Sequence, residues 1–194
     1  MGGEAAALAD AVDLLPVGAL DPETLKAIAA RLSRHLELPC HVLTPAPEVP
    51  LSRLPNRGQL DAHALLAALE TLPPSPGRIL VGVAAEDIAI PIFTFVFGLA
   101  RSGGRACVVS LARADPVFYG LSSDAELKLG RTVAEILHEL GHLAALEHCP
   151  DRSCLMSFAG SVERADTRGS RFCAACAARL PAWLRGKAPL PETV

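Results

Sequence analysis

The chain has 194 residues, 51% of them hydrophobic and 20% charged, and its 18 basic and 21 acidic side chains leave a net charge of −3. This length and apolar fraction allow one domain with a substantial core and exclude disorder as the general state. Because the charge balance gives no basic surface, we expect no nucleic-acid partner. The longest uncharged run, residues 88–100, would measure about 20 Å as a helix against roughly 30 Å of hydrocarbon, so we expect no membrane partner.

The first half of the chain predicts alternating strands and helices. In chain order, the apolar runs and helical periodicities predict a strand at 12–17, a helix from 21 to about 35, a strand at 40–44 and a helix at 60–72. Asp21 is a suitable cap for the first helix. Pro73 and Pro74 are expected to end the second.

The second half predicts a β-rich segment and then one long helix. Runs rich in Val, Ile and Phe predict strands at 78–85, 92–99 and 106–112. Gly103 and Gly104 separate the last two, which indicates an antiparallel excursion. A helix is expected from about Asp124 to the first histidines, with irregular chain beyond Ala145. The expected fold class is therefore α/β of the mixed α+β type. We expect a single domain, with a sheet-and-helix part at 1–147 and a cysteine-rich part at 148–194.

The cysteines indicate metal binding rather than disulfides. The first residues, MGGEAAALADAVDLL, carry acidic side chains through their apolar stretch and have no basic start, so they do not resemble a signal peptide. We therefore expect a reducing, cytoplasmic location, where disulfides are rare. Of the six cysteines, Cys40 and Cys107 stand alone, and the other four lie in the last quarter of the chain beside three histidines.

One short segment carries residues suited to metal-assisted catalysis. His138 and His142 are four residues apart on the long helix, so both imidazoles can reach one metal ion. Glu139 lies beside the first of them, where a carboxylate can take a proton from metal-bound water. An HExxH string also arises by chance, and the motif alone leaves two solvated histidines on an exposed helix face as the alternative.

His148 can act as a third ligand only if the chain leaves the helix soon after His142. In a continued helix it would lie about 15 Å beyond His138, too far for one zinc with bonds of about 2.1 Å. The extended motif places glycine at this turn because glycine accepts positive φ, and here the position is Ala145. Alanine in that conformation costs about 1–2 kcal/mol, which is small beside the roughly 10–16 kcal/mol of apparent zinc binding in small structural sites.

Four cysteines follow at spacings suited to a second metal. Cys149 and Cys154 are close in sequence, and Cys173 and Cys176 form a CxxC pair. Two such pairs joined by a longer loop are typical of a tetrahedral zinc site, with buried thiols or a redox pair as the alternative. Methionine ordinarily fills a core, but Met156 lies just beyond the third histidine, where it can form an apolar floor beneath the metal.

The strings HELGHLAALEHC, CLM and FCAAC together resemble the archaemetzincins, a family of metzincin-type zinc metallopeptidases. The stretches FTFVFGLARSGGRACVVSLAR and RGQLDAHALLAAL are also similar to that family, so the likeness covers most of the chain. It implies a twisted mixed sheet whose antiparallel edge strand borders the cleft. Residues 93–99 are the candidate for that strand, where a peptide can pair.

The resemblance also implies two zinc ions per chain, one catalytic and one structural. The residues carried over are His138, His142 and His148 on the catalytic zinc, Glu139 as general base, Met156 as the methionine of the Met-turn, and Cys149, Cys154, Cys173 and Cys176 on the structural zinc. Where the family has glycine, this chain has Ala145.

These residues predict zinc-dependent hydrolysis of a peptide or protein substrate. Two alternatives remain open. One is a zinc-stabilised binding module whose histidine centre is weak or inactive, and the other is a hydrolase for a small non-peptide amide. An open cleft beside a free strand edge would favour a peptide, whereas an enclosed pocket would favour the small amide.

Overall fold

The computed structural model describes residues 9–73 and 75–185. Its strands are β1 (Ala11–Val17), β2 (Cys40–Val42), β3 (Leu60–Asp61), β4 (Arg78–Ala84), β5 (Ile88–Ala89), β6 (Gly98–Ala100) and β7 (Ala106–Ser110). Its α-helices are α1 (Pro22–Leu36), α2 (Ala62–Thr71), α3 (Ala125–Leu143), α4 (Val162–Thr167) and α5 (Ala174–Arg179), and short 3-10 helices cover Pro116–Tyr119 and Ala182–Leu184. Three predicted features lie wholly or partly outside the described residues: the start of the N-terminal segment, Pro74, and the end of the 148–194 part.

Five strands form one mixed sheet in the order β2-β1-β4-β7-β6, and β3 pairs with β5 in a separate small sheet. Neighbours in the larger sheet are parallel except β6 and β7, which are antiparallel with Gly98 opposite Val109. The expected mixed fold class is therefore confirmed. The antiparallel excursion also falls where Gly103 and Gly104 predicted it.

Helices cover both faces of the larger sheet. On one face, α1 and α3 pack against Ile79 and Val81 of β4, and on the other α2 packs against Leu80 and Ala84 of the same strand. Strands β4 and β7 are consequently buried on both sides, which explains why their sequences are nearly continuous apolar runs. This packing fixes the position of α3 and of the histidines in its last turns.

Side-chain caps set the helix starts. Asp21 accepts hydrogen bonds from the backbone N–H groups of Glu23 and Thr24, so α1 begins at the predicted place. The prediction that the second helix starts at residue 60 is wrong. Leu60 and Asp61 instead pair with β5, and the Asp61 side chain then caps α2.

The edge strand is shorter than the predicted 93–99, because β6 begins only at Gly98. The carbonyl oxygens of Phe93 and Thr94 accept hydrogen bonds from the side chains of Arg57 and Gln59. Their backbone is thus satisfied by side chains from another part of the chain rather than by a sheet ladder. A run of apolar residues could not reveal this arrangement.

Beyond α3 the chain is mostly irregular, as predicted, and contains only the short helices α4 and α5 and one 3-10 turn in its described part. Within residues 9–73 and 75–185, no helix combines the length and apolar character needed to cross a membrane.

Candidate active site

The last turns of α3 bring two histidines and a glutamate to one place. His138 and His142 lie one turn apart, and their Nε2 atoms are 3.1 Å from each other. Glu139 follows the first histidine on the same helix, so the helical spacing alone accounts for this cluster.

The helix ends in a Schellman motif that turns the chain back towards these side chains. The backbone N–H of Ala145 donates to the carbonyl of His142, and that of Leu146 donates to the carbonyl of Gly141. Ala145 has a φ of 60°, the left-handed conformation expected at this position. His148 consequently returns to the cluster, and the candidate ligand atoms of the three histidines all lie within 4.8 Å of one another.

Hydrogen bonds at the other ring nitrogen orient two of these histidines. Nδ1 of His138 donates to the carbonyl oxygen of Leu155, and Nδ1 of His142 to that of Leu146, both at 2.8 Å. Since a carbonyl only accepts, each Nε2 keeps its lone pair. Burial lowers the pKa of His138 to about 3, so its ring is neutral at neutral pH.

This arrangement fits a bound metal ion. Two lone pairs 3.1 Å apart repel each other, and a cation between them replaces the repulsion with two bonds. Zinc binds imidazole nitrogen at about 2.1 Å, which the separation allows, and it favours ligands whose second nitrogen is held by a carbonyl.

Glu139 is a buried carboxylate at the edge of the sheet. Its Oε2 atom has no hydrogen-bond partner among the described residues. Burial, and then the neighbouring carboxylate of Glu135, raises the pKa of Glu139 well above its ordinary value. A Cβ added to Gly98 of β6 would lie 2.6 Å from Oε1 of Glu139, so the edge strand approaches this carboxylate as closely as only glycine permits.

A buried ion pair behind the histidines was missed by the sequence analysis. Arg168 pairs with Glu135, and its Nη1 atom lies 3.2 Å from Nδ1 of His138. Burial opposes the ionisation of Glu135, but the positive charge of Arg168 keeps the pKa of Glu135 below its ordinary value. Glu135 precedes Glu139 by one helical turn, so its spacing could have placed it beside the site. Nothing in the local sequence of Arg168 indicates that it lies there.

Met156 packs against α3 in the position expected of an apolar floor. Its side chain is fully buried. A Cβ on Gly141 would overlap its sulfur atom, so glycine between the two helical histidines makes room for it. The carbonyl of Met156 also accepts a hydrogen bond from the backbone of Cys149, which joins this loop to the cysteine cluster.

The four C-terminal cysteines form a second cluster. The sulfur atoms of Cys149, Cys154, Cys173 and Cys176 lie within 4.8 Å of one another, and all four are free thiols. The Cys149 and Cys173 sulfurs are 3.8 Å apart, which matches the about 3.8 Å between sulfurs in a tetrahedral site with zinc–sulfur bonds of about 2.3 Å. The backbone N–H of Cys176 is the main cause that lowers the pKa of Cys173 to about 7, which favours the thiolate that zinc requires. This cluster therefore also fits a zinc ion.

The histidine cluster opens onto a cleft of about 490 Å³. That volume lies within the roughly 300–1,000 Å³ typical of ligand sites. One wall comprises residues 93–100, the floor is formed by α3, and the other wall includes Leu146, His148 and Phe158.

Comparisons with known proteins identify the family of the chain. A profile described as peptidase family M54 matches residues 56–182. An archaemetzincin from Methanopyrus kandleri is 46% identical over 62% of this chain and 65% of its own length, and one from Methanocaldococcus jannaschii is 33% identical over 85% and 89%. The solved structure of a zinc-dependent peptidase from Methanocorpusculum labreanum is similar with a TM-score of 0.76 at 26% identity, covering 87% of this chain and 98% of that one. The chain therefore belongs to peptidase family M54, the archaemetzincin family of zinc metallopeptidases.

Proposed function

We propose that the chain hydrolyses peptide bonds at the centre formed by His138, His142 and His148, with Glu139 as the general base. The observation that carries this proposal is the convergence of three histidines, two with free Nε2 lone pairs, beside a buried carboxylate with an unpartnered oxygen. A zinc ion held by these histidines would supply Lewis acidity to the scissile carbonyl and to the attacking water.

Glu139 moves the proton in this mechanism. Its buried, unpartnered oxygen accepts the proton of the attacking water and then delivers it to the leaving amine. Leu155 and Leu146 contribute through their carbonyls, which hold His138 and His142 in the tautomer that presents Nε2.

The substrate backbone pairs with the outer edge of β6. The order of the larger sheet ends at β6, so the outward-facing peptide groups of this strand have no strand partner in the described chain. An extended peptide added there passes over Gly98 and comes next to Glu139. The cleft is open along this edge, which favours a peptide over a small amide held in an enclosed pocket.

The cysteine cluster holds a second, structural zinc ion in this proposal. It joins the loop after His148 to the last segment of the chain, where Leu155 N–H donates to the carbonyl of Arg171 and Gly169 N–H to that of Ser153. Because the loop after His148 also supplies the Leu155 carbonyl that orients His138, we treat the chain as one domain. Free thiols as ligands require a reducing compartment, so we place the protein in the cytoplasm.

The test compares Glu139→Gln with Glu48→Gln, an exposed glutamate outside the cleft. Metal content is measured by mass spectrometry, and hydrolysis is measured on a mixture of short peptides. We expect two zinc ions per chain in all three proteins. Peptide hydrolysis should fall about 10²–10⁴-fold in Glu139→Gln only, as for loss of a general base. Wild-type rates in Glu139→Gln would contradict the assignment of the base, and no hydrolysis by the zinc-loaded wild type would favour a binding module.

A further inference from the structure

Two half-exposed phenylalanines meet across the mouth of the cleft. Phe93 belongs to the wall that precedes β6, and Phe158 belongs to the opposite wall, two residues after Met156. Their side chains are exposed by 46% and 53%, and their ring centroids are 6.4 Å apart. The ring of Phe158 also packs edge-on against His148, with centroids 5.2 Å apart, so the pair lies beside the candidate zinc centre.

The wall that carries Phe93 is held firmly in place. Arg57 donates to the carbonyl of Phe93 at 3.0 Å, and Gln59 donates to the carbonyl of Thr94 at 2.8 Å. The guanidinium group of Arg113 lies 3.8 Å from the ring centroid of Phe95 and forms a two-point ion pair with Asp87. These contacts fix the backbone and leave the Phe93 ring projecting into the cleft.

The opposite wall is fixed in a similar way. The backbone N–H of Ser157 donates to the carbonyl of Cys154, and its hydroxyl accepts a hydrogen bond from Arg164 at 3.1 Å. Ser157 is buried, whereas the next residue, Phe158, has half its surface in solvent. Both rings are therefore presented by ordered backbone, which lowers the entropic cost of binding a partner.

Charge and polarity decide which substrate group suits this pair. The ionisable cleft residues other than the histidines are Glu135 with its partner Arg168, Glu139 and Glu147. Within the described residues Glu139 and Glu147 have no ion-pair partner, so they would repel an acidic substrate side chain near the rings. The arginine in the described lining, Arg168, is already paired with Glu135. An apolar side chain would instead remove both rings from water.

We propose that Phe93 and Phe158 form one apolar subsite that binds a large aliphatic or aromatic side chain of the peptide substrate next to His148. The inference rests on the proposed peptidase function, since it assumes a peptide in this cleft. The inference adds to that function the two residues that select a substrate side chain. The metal ligands and β6 cannot make this selection, because they contact the substrate backbone and the reacting group.

The test uses pairs of peptide hydroxamates, which bind a zinc centre without being hydrolysed. The two members of a pair differ by Phe or Ala at one position, and that position is moved along the peptide. Dissociation constants are measured by calorimetry on the zinc-loaded full chain. At one position we expect the Phe member to bind at least about tenfold more tightly, a difference of about 1.4 kcal/mol.

Three variants then locate the preference. Phe93→Ala and Phe158→Ala should each reduce it to about threefold or less, and the double variant should lose little more, because the two rings form one surface. Leu121→Ala is the control, since Leu121 is an apolar side chain that is 61% exposed but lies outside the cleft. Measurements of zinc content and circular dichroism verify that each variant binds zinc and is folded. Phe158→Ala removes the ring that packs against His148 and could therefore lose zinc. In that case the result for Phe93→Ala decides the test.

The outcomes separate this inference from the proposed function. A Phe preference that depends on both rings, in a protein that hydrolyses no peptide, would support the subsite and contradict the peptidase mechanism. Peptide hydrolysis without any Phe preference would overturn the subsite alone. Failure of every hydroxamate to bind, or tighter binding to the alanine variants, would also overturn it, the latter because the rings would then obstruct the cleft.

Discussion

Replacing Ala145 by glycine should stabilise this protein. Ala145 has a φ of 60°, and alanine in the left-handed region costs about 1–2 kcal/mol relative to a residue without a Cβ. Glycine offsets part of this gain because it adds about 0.4–1 kcal/mol of conformational freedom to the unfolded chain. Ala145 is exposed, so removing its Cβ loses little packing. The net expectation is an increase of about 0.5–1 kcal/mol in the free energy of unfolding.

The neighbouring alanine provides a matched control of opposite sign. Ala144 has a φ of −79°, which alanine adopts without strain. Ala144→Gly should therefore add freedom to the unfolded chain, and it also removes a methyl group that packs against the core, so it should destabilise the protein by at least about 0.5–1 kcal/mol. Scanning calorimetry of both variants at one fixed zinc concentration measures the difference. For a chain of this size, 1 kcal/mol corresponds to about 2–4 °C in Tm.

The two variants together test the reasoning about this turn. Ala145→Gly should raise Tm and Ala144→Gly should lower it. A decrease in Tm for Ala145→Gly, or equal shifts of the same sign for both, would refute the claim that the alanine at this turn is strained. The zinc content of Ala145→Gly should equal that of the wild type, because the chain already turns back to His148 in the structure.

Three further predictions follow from other parts of the site. Gly98→Ala should lower peptide hydrolysis at least about tenfold, because the added Cβ displaces the carboxylate of Glu139, the proposed general base. Gly58→Ala, where a Cβ meets nothing within 4 Å, should leave the rate unchanged in the same assay. Cys173→Ser should lose one of two zinc ions by mass spectrometry and Cys40→Ser should lose none, and equal zinc in both would contradict the cysteine centre. Because burial holds the pKa of His138 below that of the unfolded chain, the zinc-free protein should lose stability as pH falls from about 6.5 towards 3. Urea denaturation at pH 7 and pH 5 should show a smaller difference in His138→Gln than in the wild type.

The long buried elements could be predicted because each depends on its own sequence. The apolar runs of β4 and β7 and the periodicity of α1 and α3 contain the information that places them in a sheet covered by helices. The turn at Ala145 was also predictable, because only a left-handed residue near that point lets the chain bring His148 back to the helix. The two-residue strands β3 and β5 were not, since such short segments have no pattern of their own.

The missed features depend on contacts between distant parts of the chain. Arg168 pairs with Glu135 across 33 positions, and its local sequence is that of an ordinary exposed helix end. The segment before β6 looked like a strand because its side chains are apolar and aromatic. Its conformation is decided instead by Arg57, a polar residue 36 positions earlier that satisfies the carbonyl of Phe93.

Both outer strands of the larger sheet are only three residues long, β6 on the side of the cleft and β2 on the other. An open sheet edge attracts the edges of other molecules and so promotes aggregation, and short edge strands limit this association. In the proposed function the edge at β6 must stay unpaired for the substrate, so no other part of the protein can cover it permanently. The brevity of β6 therefore reconciles two demands: it is long enough to align a few residues of an extended chain, yet too short to support lasting edge-to-edge contact between copies of the protein.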